Sequence, residues 1–209
     1  MMWNTGFVTK RPYHHGALDS ALLEAAMDVV ANDGMGALSL RDLARTLGVS
    51  PSATYRHFPS RDHLVAAVSQ RARERLATAM IVARDAVPAT GTKANRSVRR
   101  FAATGRAYVT FAVQTPSLFE AAFVPCPVTP PTPEDPNAWS VLVGAVDEMV
   151  EAGAVPVARR DEAPLIAWAG VHGLSTILTA SVQPPESGLD AGHHAAIDTV
   201  IDGIIRAIR

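Results

Sequence analysis

Cysteine occurs once in these 209 residues, at Cys126, so no disulfide can form within the chain and packing alone must hold the fold. A single thiol also suits a reducing compartment. Neither sign of charge prevails: the formal net charge is −1, without the basic excess that polyanion binders usually carry. Lysine is nearly absent, at Lys10 and Lys93 only, and arginine takes its place. No apolar stretch reads as a membrane span, because Gly170, His172 and Gly173 interrupt the most hydrophobic run, Ile166 to Val182. The N-terminal basic residues lead into no apolar core, which argues against a secretory leader. There is no phosphate-cradling glycine loop and no nucleophile with a paired base. His14 and His15 are adjacent but lack further ligands at zinc spacing. These absences predict a soluble cytoplasmic protein that is not an enzyme and holds no metal or cofactor. A hydrophobic content of 48% with 19% charged residues is ordinary for a globular chain.

What is present begins with Ser39 to Phe58, which reads as two short helices around a glycine turn. Ser39, followed three residues on by Asp42, has the serine-x-x-acid form of a capping box. Leu40, Leu43, Ala44 and Leu47 make one apolar stripe, with Arg41 and Arg45 on other faces, open to solvent or phosphate. Gly48 ends that helix. Ser50 and Pro51 start the next with a hydroxyl cap and a ring that needs no amide partner there. Val49, Thr54 and Phe58 turn inward, leaving Pro51, Ser52, Ala53, Tyr55, Arg56 and His57 to face outward or sideways. This arrangement serves to place a helix in the DNA major groove.

At these residues the chain resembles the tetracycline-repressor (TetR) family of bacterial regulators. The resemblance rests on Leu47-Gly48-Val49-Ser50, Tyr55-x-His57-Phe58 and Arg61, and on the entry sequence Arg11-Pro12-Tyr13-His14-His15-Gly16. It implies that Tyr55 meets a backbone phosphate and that Ser50 to Ala53 lie at the groove. It also implies that Arg56 reaches base edges or phosphates, that Arg61 sits on the phosphate chain, and that Lys10 and Arg11 belong to a flexible arm. Residues 1–75 carry nine Lys/Arg against seven Asp/Glu, a net +2, leaving −3 for the rest. DNA affinity should therefore rest on few phosphate contacts and fall only moderately with salt.

The remaining periodicity predicts an all-α chain of about nine helices in two domains. On the resemblance, residues 1–75 are expected to form an arm and DNA-binding head, and residues 76–209 a helical effector-binding and dimerisation domain. Helices are expected over Ala17 to Asn32, from Arg61 to about Val87, from about Ala94 to Gln114, and from Thr115-Pro116 through Phe123. Others should cover about Asn137 to Ala152, Asp161 to Ser181 and Asp190 to Ile208. The proline-rich Pro125 to Pro136 reads as an extended loop able to act as a flap.

Ile197, Ile201, Ile204 and Ile208 recur at four, three and four residues, a seam that wants another helix, with Leu174, Ile177 and Leu178 as its counterpart. Both stripes would serve equally to complete the core of one chain. The resemblance favours a homodimer through the last two long helices, reading a double-stranded operator with two-fold related half-sites. Trp168-x-x-x-His172-Gly173 is similar to the signature of one TetR-family C-terminal class, and Ala167, Ala169, Gly170 and Gly173 are expected to admit a neighbouring helix. Phe101, Tyr108, Phe111, Phe119, Phe123, Trp139, Met149, Trp168 and His172 are candidates to line a pocket for a small apolar or aromatic effector. Each would serve as well in an ordinary core.

Overall fold

The computed structural model describes residues 15–125, 137–180 and 189–209. Lys10, Arg11, Cys126 and most of the proline-rich segment lie outside them. Among the described residues nine α-helices run in chain order: α1 His15–Asp33, α2 Leu40–Thr46, α3 Pro51–His57, α4 Arg61–Asp85, α5 Lys93–Gln114, α6 Pro116–Ala122, α7 Ala138–Glu151, α8 Ala163–Ala180 and α9 Ala191–Ile208. Two 3-10 turns, Met35–Ala37 and Val157–Arg159, complete the regular elements, and there is no strand among the described residues.

Short-range chemistry sets the boundaries of the N-terminal helices. The hydroxyls of Ser39, Ser50 and Ser60 accept amides of the first turns of α2, α3 and α4, from Asp42 at 3.3 Å, Ala53 at 3.2 Å and His63 at 3.4 Å. Only half of the expected capping box forms at Ser39, because the Asp42 carboxylate pairs with Arg45 at 2.8 Å. Gly48 adopts φ 66°, which reverses the chain between α2 and α3 without a side-chain clash.

The helices enclose two apolar cores. In the first, Leu22, Met27 and Val30 of α1 pack with Leu43 of α2, Phe58, and Leu64 and Val68 of α4. Leu118, Ala121 and Ala122 of α6 belong to this same core, so the packing crosses the domain boundary expected at residue 75. The second core joins Leu76 and Met80 of α4 to Phe101 and Tyr108 of α5, Phe119 of α6, Val146 of α7 and the inner faces of α8 and α9. Helix α6 therefore serves both cores, with Phe119 in one and Leu118 in the other. Arginines reinforce the junction: Arg71 and Arg75 reach Glu24 of α1 at 3.5 and 2.6 Å, and Arg73 donates to the Ala122 carbonyl at the end of α6 at 3.3 Å. Such partly exposed ion pairs contribute about 0–1 kcal/mol each, against about 1.5–3 kcal/mol per buried aliphatic side chain, so they set register while the cores supply stability.

One expectation for the C-terminal helices requires correction. Ile197, Ile201, Ile204 and Ile208 are all buried within one chain, so this stripe completes the monomer core. Leu174 and Leu178 are partly buried against that core, whereas Ile177 is 67% exposed. The close approach to α9 occurs at Gly170, where a Cβ would lie 2.5 Å from Ile204 Cδ1, while a Cβ at Gly173 would meet nothing within 4 Å. Contrary to the reading of the sequence, helix α8 is long and apolar enough to span a bilayer, with mean hydropathy 1.3; its inner face packs on α5, α7 and α9, and 28% of it is buried. Its outer face carries Leu165, 64% exposed, with Ala169 and Ile177.

Candidate nucleic-acid interface and aromatic chamber

The α2-turn-α3 unit presents a face built from both helices. Thr54 of α3 is buried with Phe58 beneath it, Val49 and Ala53 are half-buried, and Pro51, Ser52, Tyr55 and Arg56 are exposed. Tyr55 is 43% exposed, although large aromatic groups usually pack inward. Arg41 and Arg56 are exposed and make no ion pair among the described residues. Ser39 and Ser50 are committed to capping, and Ser50 Oγ also lies 3.1 Å from Ser52 Oγ. His57 is half-buried with Nδ1 3.6 Å from Asp19, an interhelical packing role.

Arg61 departs from the simple phosphate clamp that its place at a helix start suggests. Its Nε donates to the Leu38 carbonyl at 3.2 Å and its Nη2 to Met35 at 2.8 Å, which ties the start of α4 to the turn before α2. Two of its five N–H groups are thereby occupied.

In the larger domain six rings converge from four helices. Tyr108 of α5 meets Phe119 and Trp168 edge-on at 5.6 and 5.4 Å, and Phe119 meets Phe123 at 5.1 Å. Phe123 stands against His172 at 4.9 Å, and Trp139 of α7 against Trp168 at 5.8 Å. Trp168 and His172, one turn apart on α8, stack at 5.7 Å with an interplanar angle of 15°. The Tyr108 hydroxyl lies 2.8 Å from His172 Nδ1. Burial pushes the Tyr108 phenol up and lowers His172, so both groups are held in their neutral forms, and the tautomer of the imidazole sets which of them donates.

Space around the cluster is divided. An enclosed apolar cavity beside Phe101, Tyr108 and Trp168 measures about 20 Å³, the scale of a single water. A groove of about 540 Å³ is lined by Phe119, Phe123, His172 and Thr176, and a chamber of about 200 Å³ by Arg73, Phe123, Trp139 and Trp168. Phe123 stands in the wall of both larger spaces. Phe111 lines a separate groove between α4 and α5. Met149 lines none of these and is fully buried in the core, which corrects its assignment to a pocket. Arg73, Gln70 and Glu120 also line these spaces, polar residues to which no aromatic pattern in the sequence points. No group of metal-binding side chains occurs among the described residues.

The neutral His172 makes stability pH-dependent. Its folded pKa lies below the unfolded value, so the unfolded chain binds the extra proton as pH falls through about 6.5, and the native state loses stability on that side. The thermal midpoint should drop between about pH 7.5 and 5.5, and His172→Gln should flatten that decline. An undiminished decline in the variant would assign it to other groups.

Comparison with known proteins bears on both regions. The profile for bacterial regulatory proteins of the tetR family matches residues 22–68, and that for a tetracyclin repressor-like C-terminal domain matches residues 101–200. The chain belongs to the TetR family. The TetR proteins are bacterial transcriptional regulators, not enzymes, and their DNA-binding helix-turn-helix corresponds here to α2 and α3. An HTH-type transcriptional repressor of Mycobacterium tuberculosis is 39% identical over 59 residues, 28% of this chain and 31% of that protein. Among solved structures, a Rhodococcus sp. RHA1 protein of unknown function is 28% identical with a TM-score of 0.72, covering 95% of this chain and 99% of that one. A TetR protein of Acinetobacter baumannii AYE, a glutamine-to-alanine variant in complex with minocycline, has the same fold at 20% identity and TM-score 0.56, covering 94% and 99%.

Proposed function

We propose that this TetR-family protein is a cytoplasmic, homodimeric transcriptional repressor that a small apolar or aromatic effector releases from its operator. The observation that carries this reading is the double membership of α6. One side of this short helix packs into the core of the DNA-binding head, while Phe119 and the adjacent Phe123 enter the aromatic cluster. A ligand that displaces these rings must strain the head's own core. That gives it the differential affinity for two states which any induced release requires.

The DNA contacts proposed are Pro51, Ser52, Ala53, Tyr55 and Arg56 on α3 and Arg41 on α2, with Lys10 and Arg11 from the arm. Ser39, Ser50 and Arg61 act by holding the helix starts, and Arg61 retains N–H groups for a phosphate. The dimer proposed uses the outer face of α8, Leu165, Ala169, Gly173 and Ile177 at four-residue spacing, beside Ala195 and Thr199 of α9. The open space over Gly173 permits close helix approach.

The test is a titration against DNA upstream of the protein's own gene and its neighbours, with a scrambled duplex as control, over a range of salt. Selective binding is expected, and Arg56→Ala should weaken it and reduce the log–log salt slope by about 0.9 per head. Equal weak binding to both duplexes would overturn the local-repressor reading. The small enclosed cavity favours a second reading, a regulator whose C-terminal domain only dimerises. Unchanged operator affinity across a broad panel of lipophilic compounds would select it.

A further inference from the structure

The arginines of the C-terminal domain and of the α1–α4 junction mostly have acidic partners: Arg71, Arg75, Arg84, Arg100, Arg106 and Arg160 each meet a carboxylate within 3.5 Å. Arg73 differs. It is half-buried, stands in the wall of the chamber formed with Phe123, Trp139 and Trp168, and has no carboxylate partner among the described residues. Its hydrogen bonds go to neutral oxygens, from Nε and Nη2 to Gln70 Oε1 at 3.1 and 2.8 Å and from Nη1 to the Ala122 carbonyl at 3.3 Å. The nearby Glu74 is engaged by Arg71 and Gln70. Two of the five guanidinium N–H groups remain, the number that a carboxylate takes in a two-pronged contact.

A partly desolvated cation facing aromatic walls selects for a ligand that supplies both an anion and a flat apolar body. The neighbouring groove favours the same orientation. Among the described residues its one charged lining residue is Glu120, which repels an anion, and His172 adds no positive charge while neutral. Phe123 separates groove from chamber, so a turn of that ring would join them into a space of the size that small-molecule sites usually have.

We propose that the effector is an aromatic monocarboxylate, its carboxylate on Arg73 and its ring system among Phe123, Trp139 and Trp168. This rests on the effector reading above and names the ligand class for it. The consequence is mechanical as well as chemical. A carboxylate on the two remaining N–H groups draws on the same guanidinium that donates to the Ala122 carbonyl, and that bond ties α4 to the end of the helix shared by both cores.

The experiment uses the full chain and three probes that share a ring system: 1-naphthylacetate, its primary amide and 1-naphthylmethylamine. Calorimetry should give the acid at least about tenfold tighter binding than the amide, with the amine weakest. Arg73→Gln should erase that preference while leaving the amide's affinity unchanged, and Arg73→Lys should keep only part of it. Equal binding of acid and amide, preference for the amine, a preference that survives Arg73→Gln, or no binding at all would each overturn the proposal. Should Arg73→Gln fail to fold, the three-probe order on the natural protein and the Arg73→Lys comparison still decide. Operator release separates the two readings. Release by neutral compounds without acid preference would sink only the carboxylate assignment, whereas Arg73-dependent acid binding without release would sink only the effector role.

Discussion

Replacing Ile201 by alanine is expected to destabilise the fold by about 2–5 kcal/mol while leaving protomer association unchanged. Ile201 is 1% exposed and reaches across to α5, where a Cβ at Gly105 would lie 3.3 Å from its Cδ1. Truncation would leave a void that the glycine on the facing helix cannot fill, and neighbouring Ile197, Ile204 and Ile208 are themselves held by the same core. Relaxation can recover only part of the loss. Urea unfolding at several protein concentrations, with sedimentation of the native protein, checks both halves. Weakened association at unchanged stability would return the isoleucine stripe to the interface.

The opposite pattern is expected for Leu165→Glu combined with Ala169→Glu on the outer face of α8. In the proposed dimer these carboxylates enter a buried helix contact and face their own copies across the two-fold axis. Unpaired buried charge costs about 3–5 kcal/mol, so the dissociation constant should rise at least about a hundredfold. Operator affinity should fall with it, because a single head holds only one half-site. The fold of each protomer should survive, since Leu165 is 64% exposed and contributes little to the internal core. A variant that remained dimeric and bound the operator normally would place the contact on another surface.

These two predictions also mark what the sequence discloses. The α2-turn-α3 unit was legible because its determinants act over three or four residues: serine caps, one glycine and a short apolar stripe. The isoleucines of α9 announced a buried face equally clearly, but spacing cannot tell whether the cover comes from the same chain or from a copy. The same limit applies to Gly170 and Gly173, which lie within one turn of each other and differ only in what stands opposite. Arg61 and Arg73 were illegible for a stronger reason. The carbonyls they hold lie 23, 26 and 49 residues away, and no local pattern records where a carbonyl will come to rest. The shared allegiance of α6 is likewise a property of topology, since its seven residues carry no signal beyond ordinary amphipathicity.

Helix α4 belongs to both cores, with Leu64 and Val68 in the first and Leu76 and Met80 in the second, and its 25 residues run without interruption. At 1.5 Å per residue it is a rod of roughly 37 Å. A tilt of about 5° at one end would carry the other through roughly 3 Å. That is the full length of a hydrogen bond, the distance over which a side chain either reads a base edge or misses it. Amplification of this kind needs no unfolding and no new contact at the DNA, only a stiff arm anchored in two places.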